Sequence, residues 1–116
     1  MNNQKCADRI NESWDFRRSE IKELFDNNDY DGLYEYALCY DYVEANTFTD
    51  QEEGYFRYQI SWGGPQEELR IFENGTIEFW FLDWVDGECI DVSNDEIAKE
   101  IKFHFEDFNQ GLIEAL

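Results

Sequence analysis

The segment from Leu69 to Trp84 constrains the fold more than any other part of the chain. Two apolar runs, Leu69 to Phe72 and Thr76 to Trp84, flank Glu73-Asn74-Gly75. Alternation with a period of two places successive side chains on opposite faces of a strand, and a short glycine-containing connection joins two such strands as a hairpin. The same pattern sets the register. A two-residue Asn-Gly turn would pair Glu73 with Thr76 and Ile71 with Glu78, which mixes charged and apolar residues on both faces. A three-residue loop, with Gly75 in the left-handed position of a G1 bulge, pairs Ile71 with Ile77 and Leu69 with Phe79 on one face. It pairs Arg70 with Glu78 on the other. The sequence therefore predicts the three-residue loop.

The rest of the chain supplies partners for this hairpin. Phe56, Tyr58, Ile60 and Trp62 alternate with Tyr55, Arg57, Gln59 and Ser61, a strand ended by Trp62-Gly63-Gly64-Pro65. Asp86-Gly87 marks a turn before a short strand, Cys89 to Val92, so the centre reads as an antiparallel meander of three to four strands. Ile10, Trp14, Ile21, Leu24 and Phe25 keep helical spacing over roughly 8–25, and Asp26-Asn27-Asn28-Asp29 stops that helix. A second helix is predicted from about Asp31 to Ala45, with Leu33, Ala37, Tyr40 and Val43 marking the spacing and Asp29 or Asp31 as N-cap. The two helices would form an N-terminal hairpin. After Ser93-Asn94-Asp95-Glu96, with Ser93 or Asn94 as cap, Ile97, Ile101, Phe105 and Phe108 predict a C-terminal helix ending near Gly111. The expected fold is a single α+β domain over residues 1–116, with its helices packed on the apolar face of the sheet.

Charge limits what such a domain can bind. The 116 residues hold 28 Asp and Glu against 9 Lys and Arg, a formal charge of −19. Hydrophobic residues at 42% and aromatics at 18% separate the chain from disordered acidic tails and predict a packed core. Direct binding to nucleic acid or to an anionic membrane is disfavoured, since both need cations to neutralise phosphate. The expected partner is a basic protein, with a homodimer left open. Cys6, Cys39 and Cys89 are odd in number and widely spaced, which fits neither a disulfide framework nor a zinc knuckle. With no signal-like segment and no run of ~18 apolar residues, the expectation is a cytoplasmic protein.

Catalytic patterns are sparse. His104, the only histidine, sits between Phe103 and Phe105 with no nucleophile system around it. Asp15, Glu20 and Lys22 have the composition of a metal-dependent nuclease site but the spacing of helix salt bridges. Asn27-Asn28-Asp29-Tyr30-Asp31-Gly32 resembles the start of a calcium loop, yet Leu38 falls where the bidentate glutamate of that motif belongs. No cofactor or metal is implied, and the chain is not read as an enzyme. Trp80, Leu82 and Trp84 share the second face of the hairpin with Arg70 and Glu78. Helices on both sides would bury them; cover on one side alone would leave an aromatic patch suited to an interface.

The acids are unevenly placed along the chain. Residues 1–25 hold five cations (Lys5, Arg9, Arg17, Arg18, Lys22) and five acids (Asp8, Glu12, Asp15, Glu20, Glu23), which cancel in number. Residues 26–56 and 71–98 contain no Lys or Arg. Fixed carboxylates on such a surface can stand in for the phosphates that line duplex DNA at about 1.7 Å intervals of axis. The candidate surrogates are Asp29, Asp31, Glu35, Asp41 and Glu44, followed by Asp50, Glu52 and Glu53. A second patch would combine Asp83, Asp86 and Glu88 with Trp80 and Trp84.

In size, acidity and aromatic content the chain resembles the small phage and plasmid inhibitors that mimic DNA, of the anti-restriction and anti-CRISPR type. Tyr58-Gln59-Ile60-Ser61-Trp62-Gly63-Gly64-Pro65 and Glu78-Phe79-Trp80-Phe81-Leu82-Asp83-Trp84-Val85-Asp86-Gly87 are similar to small proteins of bacterial mobile elements. The resemblance implies a stoichiometric, cofactor-free blocker of a nuclease or of a CRISPR or restriction effector, acting in the cytoplasm of a bacterial host. An immunity protein against a nuclease toxin is the alternative with the same electrostatics. A small enzyme or a calcium-binding module are the remaining alternatives.

Overall fold

A computed structural model describes residues 6–84 and 86–116. Lys5, the Cys6 side chain and Val85 lie outside the described residues. The first helix, α1, spans Cys6–Asp26, and a short α2 spans Tyr30–Tyr36. Five strands follow: β1 (Cys39–Val43), β2 (Tyr55–Ser61), β3 (Gln66–Ile71), β4 (Ile77–Asp83) and β5 (Asp86–Asp91). The chain closes with α3 (Glu96–Phe105), a 3-10 turn over Glu106–Phe108 and α4 (Asn109–Glu114). The strands pair antiparallel in sequence order, β1-β2-β3-β4-β5, so the sheet is a pure meander. No helix among the described residues is long and apolar enough to cross a membrane.

Alternation along the strands gives the sheet two unlike faces. One presents Phe56, Tyr58 and Ile60 from β2, Leu69 and Ile71 from β3, and Ile77, Phe79 and Phe81 from β4, all buried. Against it pack Ile10, Trp14 and Ile21 of α1, Leu33 of α2, and Ile97, Ala98, Ile101 and Phe105 of α3, as one continuous core. Aromatic contacts hold the layers together. Trp14 meets Phe79 with ring centroids 5.1 Å apart, and Phe105 meets both Tyr58 (5.2 Å) and Tyr40 (4.6 Å). The buried Tyr58 hydroxyl is satisfied by the Leu33 carbonyl, 2.9 Å away.

The arginines of α1 do not pair only within the helix. Arg9 reaches Asp83 at 2.8 Å, Arg17 reaches Glu67 at 2.6 Å and Arg18 reaches Asp95 at 2.7 Å. Glu67 is buried and also accepts from the hydroxyls of Ser13 and Ser61. Burial alone would push its pKa up, but the hydrogen bonds from Arg17, Ser13 and Ser61 outweigh that and hold it below the usual carboxylate value. Asp95 acts twice. One carboxylate oxygen caps α3 by accepting from the Ile97 and Ala98 amides, and the other binds Arg18.

The hairpin register predicted from the sequence is the one observed: Ile71 opposite Ile77, Arg70 opposite Glu78 and Leu69 opposite Phe79. Gly75 has φ +95°, the left-handed geometry that a G1 bulge needs. Several boundaries differ. The second helix stops at Tyr36, and residues 39–43, expected to continue it, form the edge strand β1. Tyr40 and Tyr42 alternate toward the core and contact Phe56, while Asp41 on the opposite face meets Arg57 directly across the pair. Five strands therefore replace the expected three to four. The N-cap of α3 is Asp95 rather than Ser93 or Asn94, and Gly111 lies inside α4 rather than ending the C-terminal helix.

Candidate acidic interface

The face of the sheet opposite the helices mixes charged and aromatic side chains. Arg57 grips Asp41 with two hydrogen bonds, 3.0 and 2.7 Å, which push the guanidinium pKa up against the opposing effect of burial. Next to them Glu68, 0% exposed, accepts from Arg70 Nε at 2.8 Å and from the Gln66 amide. The Arg70 guanidinium lies between two rings, 3.9 Å from the centroid of Trp80 and 4.7 Å from that of Tyr55. Trp80 in turn donates its indole N–H to Glu78 at 3.0 Å. A buried carboxylate is thus neutralised by an arginine that also lies against two aromatic rings.

The connection between β1 and β2 folds over one end of this face. Its shape depends on Gln51. The Gln51 amide oxygen accepts from the Thr47 and Phe48 amides, both at 3.0 Å, and its N–H groups donate to the carbonyls of Glu44 (2.9 Å) and Glu53 (2.7 Å). Asn46 and Asp50 take positive φ, 65° and 60°, within the same loop. At its end, Gly54 passes so close to Tyr42 that a Cβ there would lie 2.0 Å from the phenolic oxygen. The loop turns Phe48, Asp50, Glu52 and Glu53 toward Tyr55, Arg70, Phe72, Glu78 and Trp80, enclosing a cleft of about 580 Å³. A neighbouring depression joins Glu52 and Glu53 to Glu73 and Asn74 of the β3-β4 turn.

The two cation-free stretches therefore meet in space. Asp50, Glu52 and Glu53 come from one, and Glu73, Glu78 and Trp80 from the other. Of the residues singled out in the sequence, Glu44, Asp50, Glu52 and Glu53 are exposed on this loop or beside it. Asp31 and Glu35 are exposed on α2, and Asp29 spends one carboxylate oxygen capping that helix through the Gly32 amide. Asp41 is committed to Arg57, and Asp83, on the helix-bearing face, to Arg9. The second patch is brought together in part. Trp80 belongs to the cleft with the first acidic stretch, whereas Trp84 stands 98% exposed in the β4-β5 turn. Asp83, Trp84 and Asp86 share a shallow depression with Leu82 and the 70% exposed Trp62 of the β2-β3 turn. Glu88 is exposed on the edge strand β5.

Sequence reasoning missed Gln51, Glu73 and Glu78 as parts of this site. The cation-free stretch that contains Glu73 and Glu78 was the available signal; nothing local marks Gln51. It also missed a consequence of the α1 arginines reaching across to the sheet. Glu12, Asp15 and Glu23 on the exposed side of α1 have no ion-pair partner among the described residues, so equal numbers of charges on that helix do not make its surface neutral. All five arginines of the chain are engaged in ion pairs.

The other candidate chemistries find no support in this geometry. His104 lies against the rings of Phe25 (5.2 Å) and Tyr30 (4.8 Å) as a packing residue. The calcium-loop reading fails because α2 begins at Tyr30, within the twelve-residue span the motif would need. Among the described residues no group of three or more His, Cys, Asp or Glu is placed to hold a metal ion. Comparison of the chain with protein-family models, with curated proteins and with solved structures finds no match.

Proposed function

We propose that this protein is a stoichiometric inhibitor whose acidic surface occupies the nucleic-acid-binding site of a basic partner, a nuclease or a CRISPR or restriction effector in a bacterial cytoplasm. The observation that carries the reading is the convergence of the two cation-free stretches at the end of the sheet covered by the β1-β2 loop. Asp50, Glu52, Glu53 and Glu73 gather there; among the described residues the cation lining the cleft is Arg70, which Glu68 already neutralises, and Lys102 shares a separate depression with Glu73. A field of one sign around an aromatic floor has the two components such an inhibitor uses. Long-range attraction speeds the encounter with a basic groove, and desolvated contacts at Trp80 and Phe48 slow release. Inhibition of this kind consumes no substrate and uses no cofactor.

The test is capture from a bacterial lysate on the immobilised protein at low ionic strength, followed by elution with increasing salt. A nucleic-acid-binding protein that is retained and then released steeply as salt rises supports the proposal. Glu52→Gln/Glu53→Gln, two exposed positions, should shift that release to lower salt. Asp41 is unsuited to such a test, since changing it strands Arg57. Retention that is insensitive to salt, and to these two substitutions, would reject the proposal.

A further inference from the structure

The cleft under the β1-β2 loop has a chemistry more specific than an acidic patch. Its floor is aromatic, formed by Tyr55 and Trp80 with Arg70 between them, and Phe48 and Phe72 add to its walls. Its rim carries Asp50, Glu52, Glu53 and Glu78, none in an ion pair among the described residues. Arg70, the only cation lining it among the described residues, is neutralised by the fully buried Glu68. The cleft thus has an excess of four negative charges.

A second observation is independent of that count. Tyr55 is 1% exposed and its hydroxyl is buried with no hydrogen-bond partner, in a residue that lines the cleft. Burial raises the pKa of that phenol, so it stays protonated and offers both an O–H and acceptor lone pairs. Buried polar groups are almost always paired, and an unpaired one on a cleft wall marks a place for a ligand's polar atoms.

Aromatic walls, several carboxylates and a free phenolic oxygen together fit one kind of group. We propose that the cleft receives an arginine side chain of the partner, presented by an extended basic segment. A guanidinium is planar and weakly hydrated, stacks on aromatic faces and donates in pairs to carboxylates, which an ammonium does less well. The volume of about 580 Å³ falls in the range of roughly 300–1,000 Å³ typical of ligand clefts. This inference rests on the proposed basic partner for its biological meaning, but the cleft can be probed without one.

The probe is methylguanidinium, titrated into the isotope-labelled protein at constant ionic strength, with methylammonium and urea as comparisons. The expected result is a saturable shift of the Trp80 indole N–H and the Arg70 Nε–H resonances, stronger for methylguanidinium than for methylammonium and absent for urea. Glu78→Gln should weaken the response about fivefold. Glu53→Gln, at an exposed rim position that the fold does not need, should weaken it as well. Shifts that do not saturate, that methylammonium matches, or that survive both substitutions would overturn the cleft's assignment and leave the inhibitor reading to stand on its salt dependence. Specific methylguanidinium binding together with capture that ignores salt would keep the cleft and reject the inhibitor.

Discussion

Replacing Glu67 by glutamine tests how α1 is fastened to the sheet. The carboxylate accepts from Ser13 Oγ, Ser61 Oγ (2.9 Å), Arg17 Nε (3.2 Å) and Arg17 Nη2 (2.6 Å). Glutamine keeps the shape but removes the charge, and it turns one acceptor oxygen into a donor facing other donors. Breaking a fully buried pair from one side costs about 3–5 kcal/mol. Arg17 is partly solvated and keeps Tyr36 at 3.2 Å and Glu20 at 3.8 Å, so the expected loss is smaller, about 2 kcal/mol. For a chain of this length that corresponds to a fall in Tm of about 8 °C.

The pH dependence gives the prediction its specificity. The pKa of Glu67 is lower folded than unfolded, so its stabilisation is fully present above the ordinary glutamate value of about 4.3 and fades as pH falls through the folded value. Relief of the repulsion among the remaining acids acts on both proteins and cancels in the comparison. Urea unfolding should therefore show a gap of about 2 kcal/mol near pH 7 that shrinks markedly near pH 3. An equal gap at both pH values, or none near pH 7, would refute the assignment of Glu67 as a charged anchor.

Two further substitutions test the loop. Gln51→Ala removes the four hydrogen bonds that shape it while leaving the charge unchanged; the Thr47 and Phe48 amides should exchange faster, the global stability should fall by less than about 1 kcal/mol, and release of the captured partner should move to lower salt. Unchanged exchange at these amides would show that Gln51 does not hold the loop. Gly54→Ala places a methyl group where the end of the Tyr42 ring now lies, so the ring must turn aside and its resonances should shift, with a stability loss of less than about 2 kcal/mol in urea unfolding; unchanged Tyr42 resonances would contradict the close approach.

The β3-β4 hairpin was legible because its constraints are local. A glycine that must take positive φ and a period-two pattern on both sides leave one register that keeps charge off the core face. The β1 strand was not. Leu33, Ala37, Tyr40 and Val43 fit helical spacing, but Cys39–Val43 equally offers the alternation and the β-branched and aromatic residues of a strand. What decides is distant: β2 provides the backbone partners, Arg57 faces Asp41, and Phe105 receives Tyr40. The same limit applies to charge. Counting along the sequence found the cation-free stretches, yet which carboxylates stay unpaired depends on arginines up to 77 residues away, as with Arg18 and Asp95.

The central claim is competition for a nucleic-acid-binding surface, and duplex DNA tests it most directly. The immobilised protein is loaded from a bacterial lysate at low salt and then washed with duplex DNA at unchanged ionic strength. The account predicts that the retained protein binds DNA and is displaced by the duplex. Retention unaffected by excess duplex would contradict it.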